Sequence, residues 1–327
     1  MNYRHLGRTG FEVSEVSLGA WQIGGAWGTV SEEDALRVLR AALDSGINFI
    51  DTADVYGDGR SEHLIAQALR DHNGKVYVAT KAGRRLAPHV AHGYNRPNLT
   101  SFIERSLHNL ERDALDLVQL HCPPTEVYYL PEVFGILDDL KRDGKVLHYG
   151  VSVEKVEEGL IAIEHPNVET VQIIFNPFRQ RARELLFPLC KERQVGVLAR
   201  LPLSSGLLGG KIRRDSQFAA DDHRSFNRNG EQFDKGETFS GIPLDAGLSA
   251  VEEIRKLVPE GFTMANFALR WILDEPAVTC VIPGARNEEQ VRQNAAASER
   301  QPLTKAQHEA IDSIYGRSIK MLVHHRW

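Results

Sequence analysis

Residues 47–81 read INFIDTADVYGDGRSEHLIAQALRDHNGKVYVATK. Two short apolar runs, INFID (47–51) and VYVATK (76–81), flank an amphipathic stretch, SEHLIAQALRD (61–71). The runs are rich in Val and Ile and mostly do not alternate with polar residues, the pattern of strands buried on both faces. Parallel strands need a crossover between them, usually a helix. The stretch is therefore one β-α-β unit. Working outward, FEVSEV (11–16), feeding VSLG, precedes it. DLVQLH (116–121), VLHYGVS (146–152), VQIIFN (171–176), VGVLARLP (195–202) and VTCVIPGA (278–285) follow, which makes eight strands.

The segments between them carry helix signals. SEEDALRVLRAALDSG (31–46) opens on Ser31 as N-cap with Asp34 three residues on, and Gly46 closes it. The 61–71 stretch starts the same way, on Ser61. NLTSFIERSLHNLE (98–111), LPEVFGILDDLKRDG (130–144) and RARELLFPLCKERQ (181–194) continue the series, the last kinked or interrupted by Pro188. NEEQVRQNAAAS (287–298) follows the eighth strand. Eight β-α units in series predict an α/β fold, a closed (β/α)8 TIM barrel, spanning 1–327 as a single domain. Three pieces are extra. Residues 1–12 hold the turn Gly7-Arg8-Thr9-Gly10, expected to form an N-terminal β-hairpin across the barrel bottom. Residues 211–247 are polar and read as a long loop after strand seven, on the catalytic face, covering a cofactor. Residues 304–327 open on a Thr304…Gln307 capping box, form an extra C-terminal helix and end in an aromatic, basic tail, MLVHHRW.

Composition narrows the function classes. With 42% hydrophobic and 25% charged residues, wholesale disorder is excluded. A net charge of −5 argues against a chain held to nucleic acid by bulk charge. No apolar run approaches the roughly 20 residues that span a bilayer, and MNYRHLGRTG has no apolar signal core. Cys122, Cys190 and Cys280 are too widely spaced for a disulfide framework or a metal motif. The expectation is a cytoplasmic protein with reduced thiols, no nucleic-acid or membrane partner and no metal.

Strand ends on the C-terminal side of such a barrel face the active site. They deliver Gly19 to Trp21, Asp51 and Tyr56, Lys81, His121, Ser152 and Asn176. Asp, Tyr, Lys and His thus converge from three neighbouring strand ends. A tyrosine is a poor acid at neutral pH. A nearby ammonium stabilises its phenolate, and a carboxylate can hold that ammonium. An imidazole alongside can orient a carbonyl or relay a proton. The set suits proton donation to a carbonyl oxygen becoming an alkoxide; the plainer alternative is a structural Asp51–Lys81 ion pair among satisfied polar residues.

On these residues the sequence resembles the aldo-keto reductases, in their bacterial, NADP(H)-dependent form. FIDTADVYGDGRSE (49–62), TKAG (80–83) and LVQLHCPP (117–124) match that family's catalytic motifs, and GVSV (150–153), SSGLLGGK (204–211) and IPGARNEEQVRQN (282–294) match three cofactor segments. The resemblance implies nicotinamide-dependent reduction of a small aldehyde or ketone, with Asp51, Tyr56, Lys81 and His121 as tetrad and Tyr56 as general acid. It implies substrate contact at Trp21, Tyr56 and His121. It places the cofactor on Gly19, Ala20, Trp21 and Asp51, with Ser152 and Gln172 holding the carboxamide. Arg200 stands where many members stack an aromatic on the nicotinamide, and a planar guanidinium can stack too. Leu201 lies beside it. Leu203, Ser204, Gly206 and Lys211 match the pyrophosphate strap, and Gly284, Arg286, Gln290 and Asn294 the adenosine end. Val153 replaces an asparagine common in the family. Arg286 favours NADPH, because a guanidinium can pair bidentately with a 2′-phosphate; a plain surface arginine is the alternative. Two other functions fit the same residues: a sugar or polyol dehydrogenase working oxidatively, and a cofactor-binding regulatory subunit on this scaffold.

Other signals are weaker. Gly57-Asp58-Gly59 begins a dinucleotide fingerprint, but Glu62 stands where its third glycine belongs. His89 and His92 lack a nearby Cys or acidic partner for a metal. His324 and His325 read as a solvated tail, and Cys122 as a small space-filler beside Pro123. Substrate choice is expected to lie in loops near 21–29, 84–94, 123–129 and 211–247 and in the tail.

Overall fold

The computed structural model describes residues 1–25 and 30–327; the rest of the 21–29 loop, residues 26–29, lies outside them. Strands β1 (Tyr3–His5) and β2 (Glu12–Ser14) form an antiparallel hairpin. Eight parallel strands follow in sequence order. They are β3 (Leu18–Gly19), β4 (Phe49–Asp51), β5 (Tyr77–Ala82), β6 (Leu115–His121), β7 (Val146–Ser152), β8 (Thr170–Ile174), β9 (Gly196–Arg200) and β10 (Val278–Ile282). The ring closes where the amides of Ser17 and Gly19 donate to the carbonyls of Val281 and Pro283 at 2.9 and 3.0 Å. The expected (β/α)8 barrel is the fold.

The first barrel strand is not FEVSEV. Within that run Phe11 and Val13 are buried while Glu12 is exposed. Such alternation suits a hairpin with one wet face, not a strand covered on both, so 12–14 pair with 3–5 and the barrel strand is only Leu18–Gly19. The hairpin sits at the strands' N-terminal ends, where the Arg8 guanidinium donates to the carbonyls of Val168 and Arg193 at 2.8 Å each. Its Leu6, Phe11 and Val13 pack with Phe49, Tyr77, Leu117 and Leu198 in the barrel interior.

Helix α1 (Glu32–Asp44) is capped by Ser31, whose hydroxyl accepts from the Asp34 amide at 3.1 Å. In α2 (Arg60–Leu69) the cap is Gly59, with φ 94°, and not Ser61. Ser61 is buried and its hydroxyl bonds Thr52 Oγ1 at 2.8 Å and the Ala20 carbonyl at 3.2 Å, so tertiary partners outcompete the local cap. Helices α3 (Arg96–Leu110), α4 (Pro131–Arg142), α5 (Val156–Ala162) and α6 (Leu186–Glu192) cover the next strands. Pro188 falls in the first turn of α6, where a missing amide hydrogen costs little.

The 211–247 segment is less loop-like than expected. It holds a single helical turn, α7 (His223–Phe226), and two 3-10 turns, Lys235–Glu237 and Phe239–Gly241, before α8 (Leu244–Arg255). Helix α9 (Met264–Leu273) is buried at all but one position, its polar Asn266 and Arg270 included. Helix α10 (Glu288–Ala296) follows β10, and α11 (Lys305–Ile314), with the Thr304–Gln307 capping box, leads through a π-turn to α12 (Lys320–Val323). The tail is solvated only in part: His325 and Arg326 are exposed, whereas His324 and Trp327 are held. His324 Nδ1 lies 2.9 Å from the Tyr315 hydroxyl. Trp327 is buried against Gly236 and Gly241, donates to Asp234 at 2.9 Å and lies under the Arg179 guanidinium at 4.3 Å. Among the described residues no helix is long and apolar enough to cross a membrane.

Candidate active site

Asp51 ends β4, Lys81 lies one residue before the end of β5, and His121 ends β6. All three are buried at the barrel mouth. The Lys81 ammonium donates to Asp51 Oδ2 at 2.7 Å and to the Thr52 carbonyl at 2.8 Å. The other oxygen of Asp51 accepts from Gln172 at 2.7 Å and Gln119 at 3.4 Å. Tyr56 sits in the turn that leads from β4 into α2, its amide donating to the Ala53 carbonyl at 3.1 Å. Two glycines let this turn seat against the loop after β3. A Cβ on Gly24 would lie 2.7 Å from Tyr56 Cβ, and one on Gly57, at φ +60°, 2.3 Å from the Gly24 oxygen. Lys81 Nζ lies 5.2 Å from the Tyr56 ring centre, and the His121 ring meets that of Tyr56 edge-on at 5.9 Å. Trp21 stacks beside Tyr56 at 6.1 Å and touches Phe233 of the covering segment.

Burial is the largest influence on each titrating group here. It holds the Tyr56 hydroxyl above its ordinary value, and Lys81 pulls the other way without prevailing. The lowering expected from the lysine is thus present but outweighed. Burial also works against the Lys81 charge, but Asp51 and then Tyr56 more than offset it, so the ammonium is firmly protonated. His121 is pushed well below its usual range, first by burial and then by Arg84, Lys81 and Arg200, so it is a neutral imidazole.

A cleft of about 450 Å3 runs outward from Tyr56 and His121. Of the residues singled out in the sequence for the cofactor, Gly19, Trp21, Asp51, Ser152, Gln172, Arg200, Leu201, Leu203, Gly206, Lys211, Gly284, Arg286, Gln290 and Asn294 line it. Ala20 and Ser204 do not. Ala20 is buried, its amide bonded to the Asp51 carbonyl at 2.8 Å. Ser204 is turned onto Ser240 at 2.8 Å, which also accepts from Asn176 at 3.0 Å, so it fastens the covering segment to the barrel. At the outer end Arg286 is partly exposed and faces Asp222 at 3.5 Å, and Arg224 pairs with the same carboxylate at 2.6 Å. Arg224 and Thr263, unread in the sequence, also line this end.

The family model described as "Aldo/keto reductase family" matches residues 15–316. The chain belongs to the aldo/keto reductase family. It is 32% identical over 301 residues to aldo-keto reductase YhdN of Bacillus subtilis (strain 168), covering 89% of this chain and 87% of that protein. It is 30% identical to a probable voltage-gated potassium channel subunit beta of Oryza sativa subsp. japonica, covering 96% and 95%. Among solved structures, the glycerol dehydrogenase AKR11B4 from Gluconobacter oxydans superposes with a TM-score of 0.78 at 31% identity, covering 97% of this chain and 96% of that one.

Within this aldo/keto reductase one feature was not legible in the sequence. Four charged side chains, buried Glu154, Arg200 and Glu237 and partly exposed Arg84, form a network beside His121. Arg200 donates to Glu154 at 2.8 Å and to the Val153 carbonyl at 3.1 Å, and lies 3.7 Å from Glu237. Its guanidinium is therefore held by carboxylates at the cleft wall. Arg84 donates to Glu237 at 3.0 Å and lies 3.5 Å from Glu154. Held by both guanidiniums, Glu237 stays ionised, while burial raises Glu154. Cys122 packs against the same network, its thiol pushed up to about 12 by burial, so it is not a thiolate. The sulfur and the two carboxylates come within 4.8 Å of one another, but the arginines already neutralise the carboxylates. His89 bonds the Tyr94 hydroxyl at 2.7 Å. The four partners stand 37 or more residues apart in the chain, and no local pattern links them.

Proposed function

We propose that the protein reduces the carbonyl of a small aldehyde or ketone with NADP(H), and that Tyr56 is the general acid. The observation that carries this reading is the convergence of Tyr56 and a neutral His121 over a Lys81–Asp51 pair at the inner end of the cleft. The cleft suits the cofactor. Cations (Lys211, Arg224 and Arg286) stand at its outer end, as an anionic dinucleotide requires, and neutral Ser152 and Gln172 line its inner end. Gly19, Trp21, Leu201, Leu203, Gly206, Gly284, Gln290 and Asn294 would complete the contacts.

A bound reduced nicotinamide supplies the hydride. The chain does the rest. The Tyr56 hydroxyl donates its proton to the carbonyl oxygen as that oxygen gains negative charge. The phenolate left behind is stabilised by the Lys81 ammonium, which Asp51 and the Thr52 carbonyl hold in place. A neutral His121 bears on the carbonyl as a hydrogen-bonding group and not as an acid. Trp21 walls the substrate space beside Tyr56. The test is cofactor consumption against a panel of aldehydes, ketones and sugars, with Tyr56→Phe as control. Absence of turnover by a protein that binds NADPH would assign it to the regulatory class instead. The likeness to a glycerol dehydrogenase supports the oxidative direction as the second reading, and NADP+ with polyols tests it.

A further inference from the structure

Trp327 and the cleft lie on opposite sides of one short stretch of the covering segment. The loop after β8 fixes the tryptophan to the barrel with two arginines. The Arg179 guanidinium stacks over the indole at 4.3 Å, and Arg181 donates to the Trp327 carbonyl at 3.1 Å. The indole then grips the segment. A buried indole N–H needs an acceptor, and Asp234 supplies it at 2.9 Å. The ring packs on the 3-10 turns Lys235–Glu237 and Phe239–Gly241. A Cβ on Gly241 would collide with the ring edge, and one on Gly236 would sit 3.0 Å from it, so both turns depend on glycine to receive this side chain.

The other face of the stretch looks into the barrel mouth. Phe233, next to Asp234, meets the Trp21 ring at 5.9 Å and stands 5.8 Å from the Arg84 guanidinium. Glu237 lines the cleft, accepts from Arg84 at 3.0 Å and lies 3.7 Å from Arg200. Ser205 and Ser204 tie residues 237–240 to the barrel from the inside. The indole ties Asp234, and with it Phe233, from the outside. Trp327 itself does not line the cleft.

We propose that Trp327 is a positioning residue for the carbonyl-binding end of the cleft: it braces residues 233–241 from behind and so sets where Phe233 and Glu237 stand beside Trp21 and Arg84. The proposal deepens the reading of this cleft as that of a carbonyl reductase and rests on it for the kinetic consequence. Lys211 and Arg224, which face the dinucleotide from the same segment, lie upstream of the braced stretch. Tyr56 and Lys81 are delivered by β4 and β5, away from the brace. The brace therefore acts on the carbonyl, not on the cofactor or the acid.

Thiol labelling of the full-length, cofactor-free protein tests this without turnover. The Cys122 sulfur lies within 4.8 Å of the Glu154 and Glu237 carboxylates, whereas Cys190 and Cys280 are buried in other parts of the barrel. Burial pushes all three thiols up to about 12, and alkylation by N-ethylmaleimide needs the thiolate. In Trp327→Ala, Cys122 should label at least about tenfold faster than in the wild type as water reaches it, with the site read by mass spectrometry. Cys190 and Cys280 should keep their wild-type rates, which separates a loosened turn from an unfolded barrel. Trp327→Phe keeps the stack on Arg179 and should recover most of the protection. The kinetic counterpart is a carbonyl KM raised about tenfold, inside the roughly 10²-fold that a misplacement of ~1 Å can cost. The kcat and the Kd for NADPH should stay within about twofold of wild type. Wild-type labelling of Cys122, acceleration of all three cysteines together, or a Kd for NADPH that rises with the carbonyl KM overturns the proposal. If Trp327→Ala does not fold, Asp234→Ala removes the acceptor through which the indole holds the turn and is held to the same outcomes. If no carbonyl is turned over, the labelling still decides the role of Trp327, and the reductase reading alone fails.

Discussion

The two ends of the cleft are built on different terms. At the inner end every charge has a partner delivered by a neighbouring strand: Lys81 on Asp51, and Asp51 in turn on Gln172. Both members of the ion pair are buried, so water contributes nothing to their balance. At the outer end Arg286 is 43% exposed and shares Asp222 with Arg224, and Asp222 and Arg224 come from the covering segment. Strand ends hold a side chain in one place, whereas loop residues near solvent trade partners at little cost. The barrel therefore fixes the chemistry, and the segments around it select what the chemistry acts on.

The largest effect should follow from breaking the inner end at its proposed acid. Tyr56→Phe is expected to lower the reduction rate by about 10²–10⁴-fold, with NADPH affinity nearly unchanged, as single-turnover kinetics and a binding titration will show. Retention of a tenth of the wild-type chemical rate would remove Tyr56 from the role. Lys81→Met is expected to cost about 3–5 kcal/mol of stability, because Asp51 is left charged and buried without its partner. Denaturant unfolding measures this. A loss under 1 kcal/mol would mean that water reaches Asp51 and that the inner end is wetter than its geometry implies.

The outer end should give smaller changes. One charge-assisted contact contributes on the order of 1.5–3 kcal/mol, or roughly 10- to 150-fold in affinity. NADPH is expected to be preferred over NADH by about that factor, and Arg286→Ala to erase most of it while sparing NADH kinetics. If Arg224→Ala abolishes the preference and Arg286→Ala does not, the phosphate is read from the covering segment and the contrast between the two ends sharpens. The smallest effect concerns the segment itself. With NADPH at ten times its Kd, cleavage within 211–247 by a protease should slow by about tenfold if only the open form is both cofactor-free and cleavable. Equal rates with and without cofactor would show that the segment does not close over it.

Legibility followed the same division. Asp51, Lys81 and His121 could be placed from sequence because an apolar run announces a strand, and the residue at its end has little choice of direction. The first strand reads too long in the sequence, from FEVSEV into VSLG: only Leu18–Gly19 of that stretch is barrel strand, because the hairpin run beside it looks as strand-like. Ser61 reads as a cap in isolation, yet Thr52 and Ala20 claim its hydroxyl. Helix α5 is too short, at seven residues, to show a stripe. The Arg84–Glu237 contact joins positions 153 residues apart, and Trp327 reaches Asp234 across 93; neither leaves a local trace. Charged and aromatic residues in a polar stretch look like solvated surface until the fold supplies their partners.

The hairpin that packs Leu6, Phe11 and Val13 into the bottom of the barrel closes that end, so the cleft is a blind alley entered from the barrel mouth. Whatever lies deepest must arrive first and depart last. If the dinucleotide's reactive ring occupies the floor beside Tyr56, a carbonyl settles above it and obstructs its departure. Traffic is then sequential: cofactor in, substrate in, alcohol out, spent cofactor out. Excess substrate should trap the spent cofactor in the alley, and inhibition at high carbonyl concentration would be the kinetic mark of a stopper placed at the opposite end of the molecule.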